Sequence, residues 1–250
     1  MTAAVCDQTH VSNCQQCPNA FTGLNLGAAS NFAVLGLSGA HLIISEGATR
    51  IVGDVGAGPN NTGTLLKSTI VGQLFIDPTA KLDIHSDLTV TGGIVIQDLT
   101  QADADARAAS MDAAGFTPTQ ALGNINSSTT ITGGGGLNVI SIDSVNLVKQ
   151  TLTISGSASD IFIFNVTGDY IFNGSQMVLS GGVTANHILW NFPTAGSDIQ
   201  FFKPVAVAFG TFLAPQRGFI QDHGDLEGAA IAGGTLKFHS AALVNFCPQP

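Results

Sequence analysis

The chain is built from short runs in which Val, Ile, Leu or Phe alternates with a small polar residue, and each run is closed by Gly, Asn, Asp or Ser. They include His41–Ser45, Thr49–Val55, Ser68–Ile76, Lys81–Ile84, Leu88–Gln97, Thr129–Thr132, Leu137–Ile142, Val145–Ile154, Asp160–Val166, Tyr170–Phe172, Gln176–Leu179 and Val183–Phe192. Side chains on a strand alternate between faces, so this period of two predicts many half-buried strands separated by tight corners. A sandwich or barrel uses such strands too, but with more aromatic residues and charged outer faces. A stack of coils fits better, because each coil covers the next and the outer surface need only be small and neutral. Spacings drift between about 15 and 25 residues, so the coils are unequal.

The surface this chain can make is unusual. Only 10% of its 250 residues are charged, against 44% hydrophobic, where about a quarter charged is common. Its polar residues are instead 23 Thr, 18 Ser and 15 Asn. That is the reverse of a disordered composition. Eight Lys and Arg against 17 Asp and Glu, with no basic run, leave little to neutralise a phosphate backbone, so no nucleic-acid partner is expected. No stretch reaches the ~18 apolar residues of a membrane span; Val205–Ala214, between Pro204 and Pro215, is too short.

Residues 1–23 read as a polar extension and residues 24–250 as one domain. Three cysteines, Cys6, Cys14 and Cys17, lie in the extension and Cys247 lies near the end. Cys14-Gln-Gln-Cys17 has zinc-ligand spacing, but a second such pair is missing. Two disulfides are therefore expected and no metal or cofactor, which points to an extracellular, secreted chain. Met1–His10 has neither the basic start nor the apolar stretch of a signal peptide, so an export signal is expected to have been removed. One segment departs from the strand pattern. Thr100-Gln-Ala-Asp103 has the form of a capping box, and Ala102, Ala106, Ala109 and Ala113 then recur at helical steps up to Gly115. A helix over residues 100–114 is expected, its alanine stripe packed on the side of the stack, with Asp103 and Arg107 paired across one turn.

Groupings that would carry catalysis are weak. Gly133–Gly136 lacks the Lys and Ser or Thr of a phosphate loop and reads as a flexible corner. Asp83, His85 and Asp87, and likewise His223, Asp225 and Glu227, share an i, i+2, i+4 spacing that reads as ordinary solvent-facing strand or loop. Gly-x-Ser-x-Gly is absent, and Asp54, Asp143, Asp160 and Asp169 are scattered. An enzyme is not expected. Thr89-Val-Thr91, Thr130-Ile-Thr132 and Thr151-Leu-Thr153-Ile-Ser155 share another form, hydroxyl out and branched apolar side chain in. Residues i and i+2 lie roughly 6.7 Å apart and stacked strands about 4.8 Å apart. If these segments share a face, their hydroxyl and methyl groups form a flat, uncharged array with spacings comparable to those of water oxygens in ice.

The chain also resembles a known family. Leu24-Asn-Leu-Gly-Ala-Ala-Ser-Asn-Phe32-Ala-Val-Leu and Ile51-Val-Gly-Asp-Val-Gly56 are similar to the opening of the large ice-binding (antifreeze) protein family. Thr91-Gly-Gly, the Ala-rich helix, Asp160-Ile-Phe-Ile-Phe164, His187-Ile-Leu-Trp190 and Gly210-Thr-Phe-Leu-Ala214 follow in the same order. From Gly210 through Leu226-Glu-Gly-Ala-Ala-Ile-Ala232 to His239 the chain also resembles choice-of-anchor A extracellular domains. The resemblance implies a right-handed, irregular three-faced β-solenoid with a helix alongside, and adsorption to ice through a flat face. The repeated Thr-Ala/Gly-x-Thr/Asn pattern of some members occurs once, at Thr22-Gly-Leu-Asn25. Thr89, Thr91, Thr130, Thr132, Thr151, Thr153 and Ser155 are the expected ice-facing residues, and a monomer is expected. The alternative is a surface or adhesion module of choice-of-anchor type without ice activity.

Overall fold

A computed structural model describes residues 22–46, 48–203 and 207–246. The four cysteines, and with them the expected disulfides, lie outside the described residues, as does most of the extension. The described chain forms 24 strands joined in one continuous parallel sheet that winds into coils. The first coils are β1 (Phe32–Gly36), β2 (His41–Ile44) and β3 (Arg50–Val52), then β4 (Asp54–Ala57), β5 (Thr62–Leu65) and β6 (Thr69–Val71). Next come β7 (Leu74–Ile76), β8 (Lys81–Ile84) and β9 (Thr89–Val90), and β10 (Ile94–Ile96) closes this block. After the helix α1 (Thr100–Gly115) the chain resumes with β11 (Gln120–Ile125), β12 (Thr129–Thr132), β13 (Leu137–Val148) and β14 (Thr151–Ser155). The rest is β15 (Ile161–Val166), β16 (Tyr170–Asn173), β17 (Gln176–Ser180), β18 (Ile188–Asn191), β19 (Ile199–Phe202), β20 (Val207–Ala214), β21 (Phe219–Asp222), β22 (Asp225–Ala232), β23 (Thr235–His239) and β24 (Leu243–Asn245).

Pairing sorts these strands into three faces. The first runs β11, β13, β15, β18, β20, β22, β1, β4, β7, β10. The second runs from the C-terminal half of β13 through β16, β19, β21, β23, β2 and β5 to β8. The third runs β12, β14, β17, β20, β22, β24, β3, β6, β9. Three long strands bend around a corner and serve two faces. The stack is therefore discontinuous in sequence: the last coils, β22 to β24, pair with the first, β1 to β3. The chain reaches the far end of the stack only because α1 carries it there.

The alternation predicted from sequence fills the interior. Inward residues such as Leu42, Ile51, Ile70, Leu152 and Ile154 are fully buried. In the later coils aromatic rings stack rung on rung: Phe164 on Trp190 at 4.1 Å and Trp190 on Phe212 at 5.9 Å between centroids. Arg217, 2% exposed, staples one corner by donating to the carbonyls of Thr194, Gly168 and Thr167.

The alanine stripe lies where the sequence predicts it. Ala102, Ala106, Ala109 and Ala113 are buried against Leu35, Ile163, Leu189, Leu213 and Ile231 on the outer side of the first face. At ~1.5 Å per residue the 16-residue helix is about 24 Å long, or five strand spacings, so it crosses the seam between β1 and β22. Its buried Ser110 was not predicted. That hydroxyl donates to Asn191 Oδ1, Asn191 Nδ2 donates to the Ser110 carbonyl and to Asn165 Oδ1, and Asn165 Nδ2 donates to the Ala113 carbonyl. The predicted capping box is absent. Asp103 instead accepts from the Ser38 backbone and from Arg107, while Asp98 accepts the Thr100 amide and Asp77 the Leu99 amide. Docking on the stack draws Asp103 away from the helix start.

Candidate functional site

The helix α1 covers the middle of the first face and leaves its ends exposed, so the broad uncovered surfaces are those of the other two. On the third face, β12 and β14 pair in register as Thr130 with Thr153 and Thr132 with Ser155, and β17 continues the rows as Val178 and Ser180. Between these outward positions Ile131, Leu152, Ile154 and Met177 point into the core. The local cause is the alternation itself: burying one set fixes the other outward. The result is two outward columns, Thr130–Thr153–Val178 and Thr132–Ser155–Ser180, about 4.8 Å between strands and roughly 6.7 Å between columns. Thr151 extends the array on one side, paired with Gln176. It carries no charged side chain.

One edge of the array is pinned. Gly133 follows Thr132 and opens the four-glycine run, which is not a flexible corner. Asp160, 3% exposed, accepts from the Gly135 amide and Asn138 Nδ2 with one oxygen and from the Ser157 amide and hydroxyl with the other. The Ser157 hydroxyl, then Asn138 and the backbone donors, hold its carboxyl down at about 2. A Cβ at Gly133 would lie 2.7 Å from Asp160 Oδ1, and Gly135 and Gly136 adopt positive φ, so glycine is required for this corner.

Thr89 and Thr91 share the third face but not the array. From β14 to β9 there are seven strand steps, roughly 34 Å. The Thr91 hydroxyl accepts the Gly72 amide. Between the two ends stand half-buried Asp225, Glu227 and Arg50. Burial raises the carboxyl of Asp225, and burial also raises that of Glu227, against a hydrogen bond from Asn245 and with a further push from Asp225. These two acids are thus not the ordinary solvent-facing groups their spacing suggested.

The other spaced group also dissolves. His85 Nε2 lies 3.2 Å from Asp83 Oδ2, but Asp87 sits beyond the end of β8 and accepts the Lys67 amide. His223 occupies a corner at positive φ. Asp54 lies on a distant coil, and Asp160 sits at the corner before β15, whereas Asp143 and Asp169 lie near the opposite corner, where β15 gives way to β16. Among the described residues no group of three or more His, Cys, Asp or Glu is placed to hold a metal ion, and no helix is long and apolar enough to cross a membrane.

Sequence reasoning missed a second neutral surface. On the second face Asn146, Val148, Ile171, Asn173, Gln200, Phe202 and Ile220 point outward over four strands before Asp222 and Lys237 interrupt. The signal was the same alternation, without the repeated Thr that marked the third face.

A profile of the family of ice-binding-like adhesive domains matches residues 3–241. An ice-binding protein of Flavobacterium frigoris (strain PS1) is 32% identical over 185 residues, which are 70% of this chain and 59% of that protein. The crystal structure of an ice-binding protein from the Antarctic ascomycete Antarctomyces psychrotrophicus superimposes with a TM-score of 0.63 at 24% identity, covering 89% of this chain and 98% of that one. That of an ice-binding protein from an Antarctic biological consortium gives 0.65 at 22% identity, covering 91% and 92%. The structural likenesses establish the fold, a β-solenoid of the same architecture, and the profile and the bacterial relative establish the lineage: the chain belongs to the family of ice-binding-like adhesive domains.

Proposed function

We propose that this domain adsorbs to ice through the third face, with Thr130, Thr132, Thr151, Thr153 and Ser155 making the contact and Ser180 and Val178 extending it. One observation carries the reading: the in-register hydroxyl and methyl array on β12, β14 and β17, uncharged and braced by buried aliphatic side chains. Each group makes a small contact with a lattice water, and rigidity lets those contacts add without a large ordering cost. Thr89 and Thr91, at the far end of the face, are not part of this array. The domain acts by adsorption, without a cofactor or a catalysed reaction, as an extracellular monomer, slowing ice growth or recrystallisation.

Ice-affinity partitioning and thermal hysteresis test the reading. The wild-type chain is expected to enter growing ice and to shape crystals; round crystals and zero hysteresis at high concentration refute it. Thr153→Tyr places a ring at the centre of the array and is expected to lose most of the hysteresis with unchanged thermal unfolding. If Thr153→Tyr is fully active while Ile171→Tyr is not, the second face is the ice-binding one.

The family's adhesive description supports a second reading, a surface module that holds a cell-surface polymer. It predicts exclusion from ice and retention on such a polymer.

A further inference from the structure

The corner between the second and third faces carries a groove of about 540 Å³ on the first block of coils, lined by Thr49, Arg50, Lys67, Ser68, Thr69 and Thr89, with Asp87 at its rim. We infer that this groove binds the carboxylate of an acidic sugar, a hexuronate. The inference is independent of the ice reading, because the groove lies at the opposite end of the third face from the hydroxyl array.

The first argument is charge. The chain has eight Lys and Arg in 250 residues. Two of them, Arg50 on β3 and Lys67 just before β6, line this one groove. Arg107 is paired with Asp103 and Arg217 is bound to backbone carbonyls. Arg50 is different: its Nε is shielded from solvent and has no hydrogen-bond partner among the described residues. A buried donor left unpaired is costly, and a guanidinium presents a planar fork that suits a carboxylate.

The second argument is the groove's lining. Ser68 and Thr49 are buried and donate their hydroxyl protons to the Leu66 and Ser45 carbonyls, which fixes the floor of the groove. Thr69 and Thr89, in register on adjacent strands, offer two hydroxyls to a ligand. The volume falls within the ~300–1,000 Å³ of small-molecule sites. Two cations and the Asp87 carboxylate leave one net positive charge. That suits a monoanion carrying hydroxyl groups better than a phosphate dianion. Asp87 is held in place by accepting the Lys67 amide at 3.0 Å, so the rim charge is a fixed part of the site. The same geometry assigns Thr89 a role apart from ice.

The test is an amide-detected NMR titration of the full chain with galacturonate, a monoanion, with galactose and inorganic phosphate as comparison ligands. Galacturonate is expected to shift the amides of Lys67, Ser68, Thr69 and Thr89. Arg50→Gln and Lys67→Gln should each weaken it by about tenfold, the loss of one charge-assisted contact, and Asp87→Asn should tighten it. Circular dichroism checks that each variant is folded, and ice partitioning of Arg50→Gln should match that of the parent. The inference is overturned if galacturonate causes no shifts, if galactose or phosphate binds as tightly, or if Arg50→Gln keeps full affinity.

Discussion

Asn191→Ala should loosen the helix from the solenoid, and the size of the loss follows from the contacts. Asn191 is fully buried and makes three hydrogen bonds, to the Ser110 hydroxyl at 2.6 Å, the Ser110 carbonyl at 3.0 Å and Asn165 Oδ1 at 2.8 Å. Removing one partner costs about 1–3 kcal/mol for each group left buried without one. The Ser110 carbonyl keeps its place in the helix, so the orphans are the Ser110 hydroxyl and Asn165 Oδ1. A total of about 2–6 kcal/mol is expected for the two. Urea denaturation followed by far-ultraviolet circular dichroism measures it, and limited proteolysis near Phe116–Thr119 reports helix release directly. The companion is Asn191→Leu with Ser110→Ala, which removes donor and acceptor together. Its loss should be at least 1 kcal/mol smaller than the sum of the two single changes, because these groups share one network. A loss below 1 kcal/mol for Asn191→Ala would refute the reasoning and leave the alanine packing as what holds the helix.

Tyr170 is fully buried among Phe172, Trp190, Phe192, Phe201 and Phe212, with a hydroxyl that has no partner among the described residues and a pKa pushed well up by burial; Tyr170→Phe should stabilise by about 1 kcal/mol in the same urea assay. Asp160, held at about 2 by Ser157 and Asn138 against an ordinary 3.8, contributes stability that is complete above pH 3.8 and is lost as pH falls toward 2. Asp160→Asn should flatten that acid limb in thermal unfolding and, by releasing the corner beside Thr132, reduce thermal hysteresis. Glu227 has the opposite sign: burial raises its carboxyl above the ordinary 4.5, so the cost of ionising it appears as pH rises through its folded-state pKa. Glu227→Gln should therefore raise the midpoint of thermal unfolding at pH 7 and leave it unchanged at pH 4.

Local features were legible where burial and periodicity agree. The strands Thr129–Thr132 and Thr151–Ser155 and the buried Ala102, Ala106, Ala109 and Ala113 follow directly from alternation at two and at helical steps. Boundaries failed at corners: Leu137–Ile142 and Val145–Ile154 read as two strands, whereas the chain runs continuously as Leu137–Val148, turning between faces without losing its pairing. Ser110 was missed because an alanine pattern gives no reason to bury a hydroxyl, and its partner Asn191 is 81 residues away. The greatest loss was of order along the stack. Thr91 precedes Thr130 by fewer than 40 residues, yet the helix carries the chain between them to the opposite end of the solenoid. Alternation shows which way a side chain points, and only the path of the chain shows what lies beside it.

That path bears on the low charge as well. In a stack of coils each backbone is paired above and below and each inward side chain is covered, so charge on the outer surface is not needed to hold the fold. The charges that do occur are therefore informative by position. Arg107 and Arg217 are engaged in holding the helix and a corner, and Asp160 fixes a glycine corner. Asp225 and Glu227 stand between the neutral end of the third face and the groove that Arg50 lines. A single chain can thus present an uncharged array and a charged pocket on one face without mutual interference, because the four strand steps from β17 to β3, roughly 19 Å, exceed the ~8–10 Å over which exposed charges are felt at physiological salt. The two ends can be disabled one at a time, and an Arg50→Gln variant that still partitions into ice, beside a Thr153→Tyr variant that still binds hexuronate, would demonstrate that independence.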